Sequence, residues 1–203
     1  MLEFRFIKSK NGMKKLWYIG SVFMIIFSLK GCKSDYEKMV DRELDQNKKV
    51  DSLFFNYRLG ASKDEYHEKS WQLNHNKVVV QGRSYHFMKY VYQDSSMPNK
   101  QNDFIMEYTG KFNEDRKLNG MEVIFSHRLW VPWNKNYHAE QLLPRILDSI
   151  EKWYGGNAFK KFELENDSIP AVHVKVDGDR RFRAFWKNTQ DVIVKIDDLN
   201  ENN

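Results

Sequence analysis

The chain has 203 residues, with 33 Lys+Arg against 28 Asp+Glu, a formal net charge of +5 and a pI near 9.1. With 41% hydrophobic, 30% charged and 15% aromatic residues, and only 10 Gly and 4 Pro, it is neither collagen-like nor low-complexity nor mainly disordered. Its single cysteine excludes a disulfide framework and a thiolate-rich metal site, and its length suits one domain with an appendage.

The charge is unevenly spread. Residues 1–31 hold Arg5, Lys8, Lys10, Lys14, Lys15 and Lys30 against Glu3 alone, which is the whole surplus. Residues 32–203 carry 27 charges of each sign, so the remaining chain is neutral and a nucleic-acid role is not expected of it. The basic front end has an order of its own. A cationic Met13-Lys14-Lys15 precedes the apolar run LWYIGSVFMIIFSL over 16–29, and Leu29-Lys30-Gly31-Cys32 follows. A cationic start, an apolar run and a small residue before a cut make a secretory signal. A spanning helix needs about 20 apolar residues, more than this run holds. Residues 1–12 either lengthen the cationic start or precede a true start at Met13.

This end resembles the lipobox of bacterial lipoproteins, with Leu29 at −3, Gly31 at −1 and Cys32 at +1, while Lys30 departs from the usual small or apolar residue at −2. The resemblance implies cleavage before Cys32, acylation of its thiol and of the new amine, and the membrane as partner through that anchor. Several acyl chains together hold almost irreversibly. Lys33 at +2 is not the Asp of inner-membrane retention, and the acidic cluster that follows (Asp35, Glu37) resembles the surface-export signal of Bacteroidetes lipoproteins. The implied location is the outer membrane, on its periplasmic or its cell-surface side. The expected organisation is a signal peptide over 1–31, a lipidated Cys32 with a charged tether over 32–50, and one domain over 51–203. Within the tether, Tyr36, Met39, Val40 and Leu44 allow a transient helix.

In the domain the first helix opens at Gly60-Ala61-Ser62, where Ser62 and Glu65 make a capping box, and runs to about Asn74 with Tyr66, Ser70, Trp71 and Leu73 toward the core. Strands are predicted over 77–81, 85–92, 104–112 and 121–127, separated by polar turns. Leu142, Leu143, Ile146, Leu147, Ile150, Trp153 and Tyr154 recur at helical spacing and Gly155-Gly156 stops them. Pro144 predicts that the regular part begins close to Leu142. Further strands follow over 159–164, 171–176, 180–186 and 191–196, with Asp177-Gly178 as a hairpin turn. A helix followed by a meander, twice over, predicts an α+β fold: an antiparallel sheet with two helices packed on one face, in tandem halves. The plan looks like the tandem repeats of β-lactamase-inhibitor proteins. The Gly60–Glu65 helix start is similar to that of the SmpA/OmlA-type outer-membrane assembly lipoproteins. More broadly, DSLFFNYRLG (51–60), WVPWN (130–134), EKWYG (151–155) and VKVDGDRR (174–181) look like an uncharacterised Bacteroidetes lipoprotein family, a resemblance that brings no activity with it.

Chemical motifs are sparse. The six histidines include no H-E-x-x-H pair, and there is no nucleophile elbow, phosphate loop or dinucleotide fingerprint, so no catalytic residue, metal ligand or cofactor is assigned. Asp177, Asp179, Asp197 and Asp198 fall near strand ends, where turn chemistry and solvation account for them. Arg180, Arg181 and Arg183, with Lys175 across the hairpin, form either a cationic patch or a salt-bridged solvent face. Trp130, Trp133 and Tyr137 flank Pro132, and either plug the end of the sheet or present a contact platform. The candidate binding residues are therefore Trp130, Trp133, Tyr137, Arg181 and Arg183, with Cys32 for lipidation. The expected function is a non-enzymatic, lipid-anchored envelope protein that binds another envelope protein, through an open sheet face or the 130–137 loop. The alternative is a surface module for glycans or small ligands.

Overall fold

The computed structural model describes residues 33–93, 102–164 and 171–200; the segment 1–31 expected as a signal peptide and Cys32, expected as the lipidation site, lie outside them. The chain divides into two compact units, Met1–Met39 and Val40–Asn203. Helix α1, Asp35–Leu44, begins in the first and ends in the second. It opens on a capping box in which Ser34 Oγ accepts from Glu37 N (3.2 Å) and Glu37 Oε2 accepts from Ser34 N (2.7 Å). The stretch expected as a tether is therefore helical over much of its length.

From Val40 on, that stretch belongs to the domain. Gly178 N donates to Glu43 Oε2 (3.1 Å), Asp179 N to Lys48 O (3.3 Å), and Val50 N to Asp179 Oδ1 (2.7 Å). The physical reason is the tight turn at Gly178, whose amides need acceptors and find them on this segment.

The remaining elements follow in two runs. Helix α2 (Lys63–His75) precedes strands β1 (Val80–Gln81), β2 (Met88–Tyr92), β3 (Phe104–Phe112) and β4 (Leu118–His127). Helix α3 (Ala139–Tyr154) precedes β5 (Lys160–Glu163), β6 (Ala171–Asp177), β7 (Arg180–Trp186) and β8 (Asp191–Asp198). All eight strands form one antiparallel sheet in the order β1-β2-β3-β4-β8-β7-β6-β5. Each run is a meander of neighbours, and the last strands of the two meanders pair at the centre. The fold is α+β with an antiparallel sheet. Among the described residues no helix is long and apolar enough to cross a membrane.

Register places the core. One row across the sheet reads Tyr108, Val123, Val194, Ala184, and the next reads Met106, Phe125, Val192, Trp186. All but the half-buried Trp186 are buried, together with Leu142, Leu143, Ile146 and Ile150 of α3. The capping box of α2 forms as expected, with Ser62 Oγ accepting from Glu65 N (3.2 Å) and Glu65 Oε2 from Ser62 N (2.6 Å). Tyr66 and Ser70 are buried, but Trp71 is 61% exposed and stacks on His75 instead of entering the core. Helix α3 starts at Ala139, before the expected Leu142, and runs through Pro144. Pro144 lies in the second turn on the exposed side and removes one intrahelical donor, while Leu142, Leu143, Ile146 and Ile150 bury the opposite face.

At the central β4–β8 pairing, a Cβ on Gly120 would sit 2.5 Å from Ile196 O. Gly120→Ala should therefore lower stability by about 1–3 kcal/mol, read as a lower urea midpoint with an unchanged slope.

Candidate functional site

The domain builds its most enclosed chemistry around the β6–β7 hairpin. Lys175 is 0% exposed and Arg180 2%. Both lie on the sheet face that carries Phe182 and Ile196, since register pairs Lys175 with Phe182 and Arg180 with Asp198. Lys175 Nζ donates to Gly155 O (2.6 Å), Asn157 O (2.7 Å) and the Asp177 carboxylate (2.6 Å to Oδ2). An ammonium thereby meets the carboxyl end of α3, where the helix dipole is negative. Asp177 Oδ1 also accepts from Asn157 N (2.8 Å).

Arg180 donates through NH1 to Ser52 O (2.6 Å) and Ser52 Oγ (2.8 Å), and through NH2 to Asp177 Oδ2 (3.3 Å). Its guanidinium lies 4.6 Å from the Tyr154 ring centroid and 4.9 Å from that of Phe182. Burial pulls Arg180 below the usual arginine range, against the opposing charge of Asp177, yet a guanidinium stays protonated. Burial likewise pushes the Tyr154 phenol up, and the Arg180 charge opposes that shift.

These cations hold two walls of a cavity of about 400 Å³. One wall is the turn around the 3₁₀ segment Phe54–Asn56. Leu53 N donates to Tyr57 O (2.8 Å) and Tyr57 N to Phe54 O (3.1 Å), closing a loop above the Ser52–Arg58 bridge. The closure is so tight that Phe55 (φ 54°) and Asn56 (φ 58°) are both left-handed. Asparagine tolerates that conformation, whereas for phenylalanine it is costly and is held by surrounding contacts. Phe55 stacks on Tyr108 (5.1 Å) and meets Tyr90 edge-on (5.3 Å).

A second wall is the end of α3, Trp153 and Tyr154, and the third is β2 and β3. Register sets Tyr90 beside Met106 and Tyr92 beside Phe104, and the last two rings stack at 4.6 Å. Phe54 meets Tyr154 at 5.3 Å and Trp153 at 5.8 Å, both edge-on. Seven aromatic rings thus line the cavity, with Ser52 and Asn56 as its other polar side chains and no formally charged residue.

The sequence-predicted residues lie elsewhere and do not form one site. Trp130 is half-buried and donates through Nε1 to Thr189 O (3.0 Å). Trp133 is 82% exposed. Tyr137 packs against His127 with the rings tilted by 46° (4.4 Å) at a separate polar cavity of about 340 Å³ that includes Gln141 and Arg145. The basic hairpin is not a free cationic patch. Lys175 and Arg180 are buried on one face, whereas Arg181 (3.2 Å) and Arg183 (2.7 Å) both bind Asp197 Oδ2 on the other. Asp177, Asp179, Asp197 and Asp198 are buried and bonded, not solvated turn residues.

The cavity residues escaped sequence reasoning because they come from four separated segments. The usable signals were the adjacent Phe54-Phe55 and the Tyr90/Tyr92 pair on one strand face. Among the described residues no group of three or more His, Cys, Asp or Glu could hold a metal ion. Comparison of the chain with protein-family models, curated proteins and solved structures gives no match.

Two outcomes check this construction. Lys175→Ala should cost about 3–5 kcal/mol in chemical unfolding, because it leaves Asp177 buried without its ammonium. Asn56→Gly should keep or slightly raise stability, whereas Asn56→Val should lower it by about 1–2 kcal/mol through the left-handed backbone.

Proposed function

We propose that this chain is a lipid-anchored envelope protein whose domain binds its ligand without transforming it, and that the ligand enters the aromatic cavity. The observation that carries the reading is a cavity of about 400 Å³ walled by rings and free of formal charge. Such a lining suits capture: its serine hydroxyl accepts from Arg180, and it contains no histidine, carboxylate or lysine to activate a nucleophile or move a proton. The carboxylate that shares Arg180 with Ser52 of the lining, Asp177, is committed to Lys175 and Arg180. Of the two expected roles, small-ligand capture is thus favoured over protein assembly.

The reading also sets both large helices on one sheet face. In its support, Tyr66 Oη of α2 accepts from Gly110 N (2.9 Å), and the Tyr154 ring of α3 meets Phe182 at 5.0 Å. Gly110 and Phe182 belong to one register row, through Met121 and Ile196. A protein contact through the 130–137 loop is the second reading, favoured by the exposure of Trp133. The open sheet face supports it less, since its charges are already paired, as in Lys111–Glu122 (3.8 Å) and Arg83–Glu107 (2.6 Å).

The anchor and the cavity are tested separately. In a Gram-negative host the full chain should fractionate with membranes and enter a detergent phase, and Cys32→Ser should leave it in the aqueous phase. Equal partition of the two would remove the anchor. Purified full chain in detergent should give a saturable, one-site fluorescence change with Nile red, weakened several-fold by Trp153→Ala. No saturable change would remove the cavity reading.

A further inference from the structure

We infer that the aromatic cavity selects an uncharged planar ring, carried on a free small molecule or on an aromatic side chain of a peptide; this rests on the binding role proposed for the same cavity. Three observations restrict the ligand.

The first is charge. No lining residue is formally charged, so a ligand ion would lose its hydration without gaining a counter-ion. Aromatic linings often serve quaternary ammonium groups. Here the Arg180 guanidinium lies 4.6 Å from the Tyr154 ring and donates to Ser52, so two lining residues already carry a cation at their back. A second cation in the cavity would be repelled by the first and would find the Tyr154 ring already polarised. An anion would find no cationic side chain in the lining, since the terminal nitrogens of Arg180 donate to Ser52 and Asp177 behind it.

The second is ring geometry. Phe54 stands edge-on to both Tyr154 and Trp153, while Tyr92 and Phe104 stack within 6° of parallel. The cavity therefore combines ring edges with ring faces, and a planar guest can stack on one and meet the other edge-on. An aliphatic guest gains the burial alone.

The third is rigidity. Phe55 is fixed in a left-handed turn and stacked on Tyr108, so the wall that bears it is preformed. A preformed wall spares the guest the cost of ordering it.

The test is displacement of Nile red from the full chain in detergent by a matched set of probes. Indole and p-cresol should displace it at concentrations about ten-fold below those needed of cyclohexanol, octanoate or choline. With Nile red affinity measured separately for each variant, Trp153→Leu and Tyr92→Leu, which keep the lining apolar, should weaken indole several-fold more than cyclohexanol. N-acetyltryptophanamide and a Gly-Trp-Gly peptide with blocked ends separate the two sources: displacement equal to that of indole assigns a peptide side chain, and displacement by indole alone assigns a free small molecule. If cyclohexanol, octanoate or choline competes as well as indole, ring selection is wrong while the binding role stands. If Nile red itself does not bind saturably, the binding role fails and ring selection with it.

Discussion

Two cations, Lys175 and Arg180, sit on the core side of one hairpin, and much of the domain is arranged around satisfying them. Removing an ion from water costs several kcal/mol even after relaxation, and the cost is offset only when its donors are matched. Lys175 finds its acceptors on Gly155 and Asn157, just past the end of α3, and on Asp177. Arg180 finds two on Ser52, over a hundred residues away in sequence, and one on Asp177, while its Nε is left without an acceptor. The first set exists only once the end of α3 has arrived, and the second only once the Ser52 turn has. The cluster therefore acts as a condition on assembly. It holds three segments in one register, and two of them are walls of the aromatic cavity. Gly156 belongs to the same constraint: its φ is +76°, and a Cβ there would run into the Asp177 carboxylate.

Part of this was legible in the sequence and part was not, and β6 shows where the line falls. Alternation of Val172, Val174 and Val176 reveals a strand and shows that the valines share a face. It suggests that theirs is the core face. The structure puts Lys175 and Asp177 toward α3 and leaves the valines on the opposite side, where Val174 and Val176 are also buried. Alternation reports which residues share a face, and tertiary pairing decides which face meets the helix. The same limit applies to Trp71. Helical spacing places it beside Ser70, but α2 buries only a narrow stripe and the indole falls outside it. The start of α2 and the tight hairpin turn were local enough to read, as the Ser62–Glu65 box and the Asp177-Gly178 turn show, whereas the central pairing of β4 with β8 was not.

The cavity was hidden for a different reason. Its rings stand in four segments between Phe54 and Tyr154, and each segment alone reads as ordinary core. They converge because β2 pairs with β3 in the register that sets Tyr92 against Phe104, across a link that no local pattern specifies. The most informative local clue was steric. Phe54 and Phe55 are adjacent in a short loop, and regular backbone would send their rings in opposing directions. Left-handed backbone at Phe55 and Asn56 turns the chain so that Phe54 meets α3 and Phe55 meets β2 and β3.

The cavity also follows from the unequal use of two similar runs of elements. Helix α3 has 16 residues and carries Leu142, Leu143, Ile146 and Ile150 onto the central strands. Helix α2 has 13 residues, buries Tyr66 and Ser70, and its ring contacts reach Phe112 at the far end of β3. No residue of α2 lines the cavity. The near end of β3 and its partner β2 therefore lack the helical cover that the central strands receive. What covers them instead is the loop over 52–56 and the last turn of α3, the two segments drawn together by Arg180 and Lys175. A helix would have filled that space with a continuous apolar stripe; a strained turn with two rings and a helix end with two more leave a gap between them. The same buried charges that complete the fold thus leave that gap uncharged, because Asp177, Ser52 and the carbonyls of Gly155 and Asn157 pair with them behind the rings instead of within the cavity.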